Sequence, residues 1–375
     1  MRRRRIAADR GRATADGHAS CAQRRLWFAG AMTSVGVIAN PASGRDVRRL
    51  TSGASVFDNA EKASMVLRLM HGLAASGIDE VVMMPTAPSV AGVLRRQLAT
   101  RQPPGSAPLP ALRFLDQPVT ETARDSERAV AAMVAEGVAA IVGLGGDGTQ
   151  RLIARGCGEI PLCPLSTGTN NAFPEMREAT VAGLAVGLVA SGRAGTDGLR
   201  REAALHVRVE RAAGDRDPVE DLALVDLAVT GQRFVGARAV SRADDLRELL
   251  VTHASPSAIG LSSVAAALDP VRRGGRQGLH VRLAPVAAAP RRVVVPLAPG
   301  VVVPVGVRDH RRIALGEAVE LEPADGSIAL DGEREIELRR DDRALVRLVA
   351  GPRTVDVDAV LRAAAHEPRR ALATA

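Results

Sequence analysis

The sequence has no tyrosine, one tryptophan and five phenylalanines, so aromatic residues make up only 2% of its 375 positions. A protein that stacks nucleic-acid bases needs aromatic platforms or a basic stripe, and neither is present. No stretch approaches ~20 consecutive apolar residues free of charge and proline, which excludes a membrane-spanning helix. Lys62 is the one lysine among fifty basic residues, so no Walker-type phosphate loop with its lysine can operate. The three cysteines, Cys21, Cys157 and Cys163, have neither metal-ligand spacing nor a disulfide framework, and read as thiols of a reducing compartment.

What is present is a high apolar content, 46%, enough for two packed cores and too high for a disordered chain. The formal charge of +8 is concentrated at one end. Residues 1–31 carry eight arginines against Asp9 and Asp16, which leaves only +2 for the remainder. That segment has no apolar run of signal-peptide length, so a cytoplasmic location is expected. It reads as a disordered Arg-rich tail, or as an extension upstream of a start at Met32.

Four segments are expected: the tail 1–31, an α/β nucleotide-binding domain 32–192, a β-rich domain 193–350, and a C-terminal helix and tail 351–375 that returns to the first domain. From Met32 to about Gly192, short apolar runs alternate with helical spacing. Strands are predicted at Val35–Ala39, Glu80–Met84, Leu112–Leu115 and Val138–Leu144, and helices at Asn59–Ser76, Val90–Leu98 and Thr122–Glu136. This alternation predicts a Rossmann-like open parallel sheet covered by helices. Beyond residue 200 the pattern becomes short, turn-bounded runs rich in Val and Leu, the mark of an antiparallel β-sandwich. They include Leu205–Val209, Leu222–Val229, Phe234–Val240, Leu279–Leu283, Val293–Leu297, Val301–Val307, Ile328–Leu330 and Leu345–Val349. Leu246–Val251 is read as a helical interruption, and Val355–Ala365 as a short terminal helix.

The strongest chemical signal is Gly145-Gly146-Asp147-Gly148-Thr149 after a buried strand. Ligands of open α/β sheets bind outside such strand ends. Glycines there let backbone N–H groups approach phosphate oxygens at a helix N-terminus. A carboxylate in that setting would repel phosphate unless it binds Mg²⁺ or takes a substrate proton, and the plain alternative is a helix N-cap. Asn40-Pro41-Ala42-Ser43-Gly44 also follows a strand, and Ser166-Thr167-Gly168-Thr169-Asn170-Asn171 is a run of six small hydrogen-bonding residues. Each alone fits an ordinary turn. Three in one α/β domain are better explained by a nucleotide crevice. Arg272-Arg-Gly-Gly-Arg276 reads as a solvated loop with a lesser claim as an anion site. His206, His253, His280 and His310 are scattered without ligand spacing.

In this order the motifs resemble the superfamily of NAD kinases, diacylglycerol kinases and sphingosine kinases. Within it, Ile38-Ala-Asn-Pro-Ala-Ser-Gly-Arg-Asp46, Ala54-Ser-Val-Phe-Asp-Asn59, Ser166-Thr-Gly-Thr-Asn-Asn171 and Leu330-Asp-Gly-Glu-Arg-Glu335 are most similar to the NAD-kinase-like acetoin-catabolism X family. The resemblance implies a kinase using ATP and Mg²⁺, with NAD as acceptor, small-molecule nucleotides as partners and a homo-oligomeric state. By position it implies that Asp147 deprotonates the attacking hydroxyl. Asn40, Ser43, Gly44, Gly145, Gly146, Gly148, Thr149, Thr167, Gly168, Thr169, Asn170, Asn171 and Asp226 would hold the nucleotides. Asp331 and Glu333 lie two apart, on one side of an extended strand, and would join Asp147 around the metal; the plain alternative is a β-hairpin turn. The sequence departs from the NAD-kinase pattern at Val225, which stands where the Ala-Leu-Asn-Glu motif has asparagine. Ser255–Gly260 is likewise a degenerate counterpart of a Thr-Pro-Thr-Gly-Ser loop. A lipid- or other alcohol-directed kinase and a catalytically lapsed nucleotide sensor therefore stand as alternatives.

Overall fold

Strand and helix alternate at the start of the chain because each buried apolar run ends in a turn that a helix can cap. A computed structural model describes residues 32–41, 57–86, 88–100, 105–168, 171–212, 217–231 and 243–366. In the first half these form β1 (Ser34–Ala39), α1 (Asn59–Ala75), β2 (Glu80–Met83), α2 (Pro88–Leu98), β3 (Ala111–Phe114) and α3 (Ala123–Glu136). β4 (Ala140–Gly145), α4 (Asp147–Gly156), β5 (Leu162–Ser166) and α5 (Ala179–Ala190) follow. Asp58 caps α1 by accepting a hydrogen bond from the Glu61 N–H, which satisfies one of the free donors of its first turn. The five strands pair in parallel in the order 3-2-1-4-5. That order reverses between β1 and β4, and ligands of such sheets bind at the carboxyl ends of the strands at this switch point. There β4 ends in the Gly-rich turn and β1 leads into Asn40.

The second half contributes β6 (Leu199–Glu210), β7 (Val219–Ala223), β8 (Asp226–Thr230), β9 (Leu246–Val251), α6 (Ser262–Ala266), β10 (Gln277–Ala284), β11 (Arg291–Ala298) and β12 (Val301–Ala314). It ends with β13 (Ala318–Glu320), β14 (Gly326–Leu330), β15 (Glu333–Leu338), β16 (Arg343–Val355) and α7 (Val357–His366). β16 pairs with β6 in antiparallel fashion and touches β5 in parallel at Thr354 and Leu162, so the parallel sheet runs on into β16, β6 and β7. A second sheet has the order β11-β12-β10-β9-β8-β14-β15. The two sheets face each other across Leu205, Val207, Val346 and Leu348 on one side and Leu227, Val229, Ile328 and Leu330 on the other. This is the expected fold class: parallel sheet with helices, then an antiparallel sandwich. Val357 and Val360 of α7 join the apolar cluster that lies under α1 and α5.

Two expectations are corrected. Leu246–Val251 is not helical but forms β9, a central strand between β8 and β10. Its leucines, Arg247 and Glu248 are good helix formers, but pairing on both edges overrides that preference. Glu248 is buried and its carboxylate lies 2.8 Å from His280 Nε2. The run Leu222–Val229 is not one strand. It breaks at Leu224-Val225 into β7 of the first sheet and β8 of the second. The expected strand Phe234–Val240 and the tail 1–31 lie outside the described residues. Among the described residues no helix is long and apolar enough to cross a membrane.

Candidate active site

β4 is buried along its whole length and delivers its C-terminal glycines to the switch point. Gly145 has no room for a side chain, since a Cβ there would stand 2.6 Å from Thr149. Gly146 is the N-cap of α4, and a Cβ on it would stand 2.8 Å from Asn171 Oδ1. The missing side chains let the Gly-rich turn and the loop after β5 close on each other.

Asp147 opens α4, where its charge suits the positive helix end. Its carboxylate reaches across to that neighbouring loop. Oδ1 accepts from the N–H groups of Ala172 (3.1 Å) and Phe173 (2.8 Å), and Oδ2 from Ala172 (3.1 Å). The described ends of that loop are tied to each other. Its ends pair through Ser166 N–H to the Glu175 carbonyl, and Asn171 Nδ2 donates to Ser166 Oγ (2.7 Å) and the Gly168 carbonyl (3.2 Å). The turn after β1 joins from the other side. Asn40 Nδ2 donates to Thr149 Oγ1 (3.2 Å), and the Asn40 N–H to the Leu144 carbonyl.

The hairpin between β14 and β15 arrives from the second sheet. Asp331 is buried, with φ at 51°, a left-handed conformation that Asp tolerates better than most residues. Its carboxylate accepts from the N–H groups of Leu224 (2.9 Å) and Val225 (2.8 Å). These bonds break the Leu222–Val229 run. Burial pushes the Asp331 carboxyl up to about 7; the charge of Arg151 opposes this and that of Asp147 adds to it. Asp147, Arg151 and Asp331 therefore share one electrostatic field. Glu333 stands over the Gly-rich turn, its Oε2 3.9 Å from where a Cβ on Gly148 would lie. Asp226 is buried at the start of β8, and its carbonyl accepts from the Asp331 N–H.

Of the residues expected at a site, Asn40, Gly145, Gly146, Asp147, Gly148, Thr149, Asn171, Asp331 and Glu333 are brought together, with Thr167 and Gly168 in the adjoining loop. Ser43, Gly44, Thr169 and Asn170 lie outside the described residues. A resident metal does not fit the acids present. Among the described residues no three His, Cys, Asp or Glu side chains are grouped to hold one. The Asp331 oxygens also face backbone donors, so Asp331 with Glu333 does not form the expected cage. Mg²⁺ would enter with ATP, as part of the MgATP substrate.

Sequence reasoning missed several contributors. Arg151 lies four residues after Asp147, on the same helix face, and that spacing was the available signal. Lys62, 1% exposed on α1, directs Nζ to the carbonyls of Asn40 (3.1 Å) and Pro41 (3.4 Å); its being the one lysine was the clue. Val225 is buried in the apolar cluster with Leu224 and Phe173, so its side chain faces the core. His253 Nδ1 lies 2.8 Å from Thr252 Oγ1, and burial, with the Arg273 charge, pushes its pKa down to about 4.

Residues 35–194 match the ATP-NAD kinase N-terminal domain family, and residues 203–351 match the acetoin catabolism protein X C-terminal domain. Acetoin catabolism protein X of Cupriavidus necator is 42% identical over 341 residues, which span 90% of this chain and 94% of that protein. The crystal structure of yeast NADH kinase complexed with NADH superposes with a TM-score of 0.51 at 14% identity, covering 89% of this chain and 86% of that one. At that identity the likeness concerns the fold.

Proposed function

The chain belongs to the acetoin catabolism protein X family, and from that premise we propose that it is an ATP-dependent kinase that phosphorylates an alcohol hydroxyl, with the 2′-hydroxyl of NAD as the acceptor. The NAD-kinase-like N-terminal domain and fold support a kinase-type reaction. The observation that carries the reading is the Asp147 carboxylate, fixed by two backbone N–H groups at the switch point between β1 and β4.

Phosphoryl transfer asks a protein mainly for positioning and for charge placed where it develops. The Gly145–Thr149 turn and the N-terminus of α4 offer N–H donors to the phosphates of MgATP. Asp147 accepts the proton of the attacking hydroxyl as its oxygen bonds to the γ-phosphorus and the bond to ADP breaks. Ala172 and Phe173 hold that carboxylate in one orientation, so little reorganisation precedes the step. Arg151 brings a positive charge into the field that Asp147 and Asp331 share.

The buried Val225 favours a second reading of the acceptor. An apolar side chain facing the core offers no hydrogen bond to a nucleoside hydroxyl, which fits a different alcohol on the same machinery. The test is to incubate the protein with Mg²⁺, ATP and NAD and to quantify NADP by enzymatic cycling, alongside Asp147→Asn. NADP formed by the wild type and reduced by about 10²-fold or more in the variant supports the reading. Unchanged turnover in the variant removes Asp147 from the chemistry. ATP binding with no NADP formed rejects NAD and leaves the second acceptor class.

A further inference from the structure

The Arg272-Arg-Gly-Gly-Arg276 segment reads in sequence as a solvated loop, yet one of its arginines is turned inward. The Gly275 N–H donates to the Arg272 carbonyl, and Gly274 has φ at +68°, the turn geometry that needs glycine at its third position. The turn puts Arg273 at its second position, facing the loop that holds Asp147. The guanidinium carbon lies 4.7 Å from the centroid of the Phe173 ring. Nε donates to Glu202 Oε1 (3.0 Å), and Nη1 lies 3.5 Å from Glu175 Oε1.

Two of these contacts fall on residues that fix the loop, and the third ties Arg273 to β6. Phe173 is fully buried, and its N–H donates to Asp147 Oδ1 at 2.8 Å. Glu175 closes the loop, since its carbonyl accepts from the Ser166 N–H and its own N–H donates to the Pro164 carbonyl. Glu202 is a rigid anchor: it is 3% exposed and also accepts from Thr354 Oγ1 at 2.7 Å. A planar cation suits this place because one face stacks on a ring while its edge bonds to carboxylates.

We propose that Arg273 is a positioning residue for Asp147, bracing the 172–175 loop from the second half of the chain so that the Ala172 and Phe173 amides keep the carboxylate oriented. The proposal rests on Asp147 being the proton acceptor. Arg273 touches no reacting atom and acts through Phe173 and Glu175. Lysine keeps the charge but loses the stacked plane and the rigid fork that sets Nε and Nη1 toward two different carboxylates, so it is a poor substitute.

The test has two arms, on Arg273→Lys and Arg273→Ala. The first is hydrogen–deuterium exchange of the peptide spanning residues 171–175, which needs no turnover. Exchange at least about tenfold faster in Arg273→Ala, with β4 and α1 unchanged, is expected because the brace is local. The second is NADP formation, where kcat falls about tenfold or more while the KM for ATP stays within about twofold, as befits lost orientation and retained binding. Added guanidinium ion should restore part of kcat in Arg273→Ala and none in Arg273→Lys, where the cavity is filled. Unchanged exchange at 171–175 in Arg273→Ala overturns the proposal, as does a kcat equal to wild type. If the wild type makes no NADP, NAD is rejected as the acceptor, and the exchange arm still decides whether Arg273 braces the loop.

Discussion

Replacing Asp331 with asparagine tests whether the second aspartate is held as a neutral acid. Asparagine keeps an oxygen for the Leu224 and Val225 N–H groups and tolerates the positive φ. It removes the charge. Burial raises the Asp331 pKa from 3.8 to about 7, so between those values the folded chain holds a proton that the unfolded chain has released. Its contribution is full below about pH 4 and is lost as pH rises through 7. The shift of roughly 3 units corresponds to about 4 kcal/mol, an upper bound for one group. Urea unfolding of wild type and variant at half-unit steps from pH 4 to 8 isolates it, because other titrations cancel in the difference. The variant should match the wild type within about 1 kcal/mol at pH 4 and exceed it by up to about 4 kcal/mol at pH 8. Parallel curves across that range would refute the reasoning, and would mean that the backbone donors keep the folded carboxylate ionised at pH 5.

Lys62→Met fills the same space without the ammonium and leaves the Asn40 and Pro41 carbonyls without that donor. A loss of about 2–3 kcal/mol in thermal unfolding and a raised KM for ATP are expected, and a neutral substitution would remove Lys62 from the turn's support. Val225→Asn restores the residue of the NAD-kinase motif but places an amide in an apolar cluster. It should cost about 2–4 kcal/mol and bring no gain in NAD binding by calorimetry. A stable variant with tighter NAD binding would show instead that this position faces the acceptor.

The parallel half was legible because its signals are local. Apolar runs such as Val138–Leu144 end in glycines, and periodic helices follow them. The glycine motif and Asp147 were legible for the same reason, since a turn and a helix start require particular residues at particular spacings. What sequence reading lost depends on residues far apart in the chain. No glycine or proline marks the break between β7 and β8, because Asp331, more than a hundred positions away, captures the N–H groups of Leu224 and Val225. Leu246–Val251 lacks alternation because a central strand is buried on both faces, which leaves only helix-forming residue types to read. Arg273 looked solvated because its ring and carboxylate partners come from residues 173, 175 and 202.

The same long-range contacts say how the two halves share the site. Asp147 is held by amides of the loop after β5, and Asp331 by amides of the turn between β7 and β8. Both supports lead to the end of β9. Thr252 Oγ1 donates to the Leu224 carbonyl (2.7 Å), behind the amides that hold Asp331. His253, the next residue, hydrogen-bonds to the backbone of Ala172, whose N–H holds Asp147. Because burial and the neighbouring Arg273 keep its pKa near 4, His253 is uncharged at neutral pH and adds no positive field beside Asp147. The first sheet thus supplies the glycines and Asp147, while the second carries Asp331 and sets much of the charge around the two acids. Under the kinase reading, an acceptor hydroxyl at this junction would meet residues of both halves at once. On that reading, differences in the second half around Asp331 would then change which alcohol is taken without altering the Gly-rich turn.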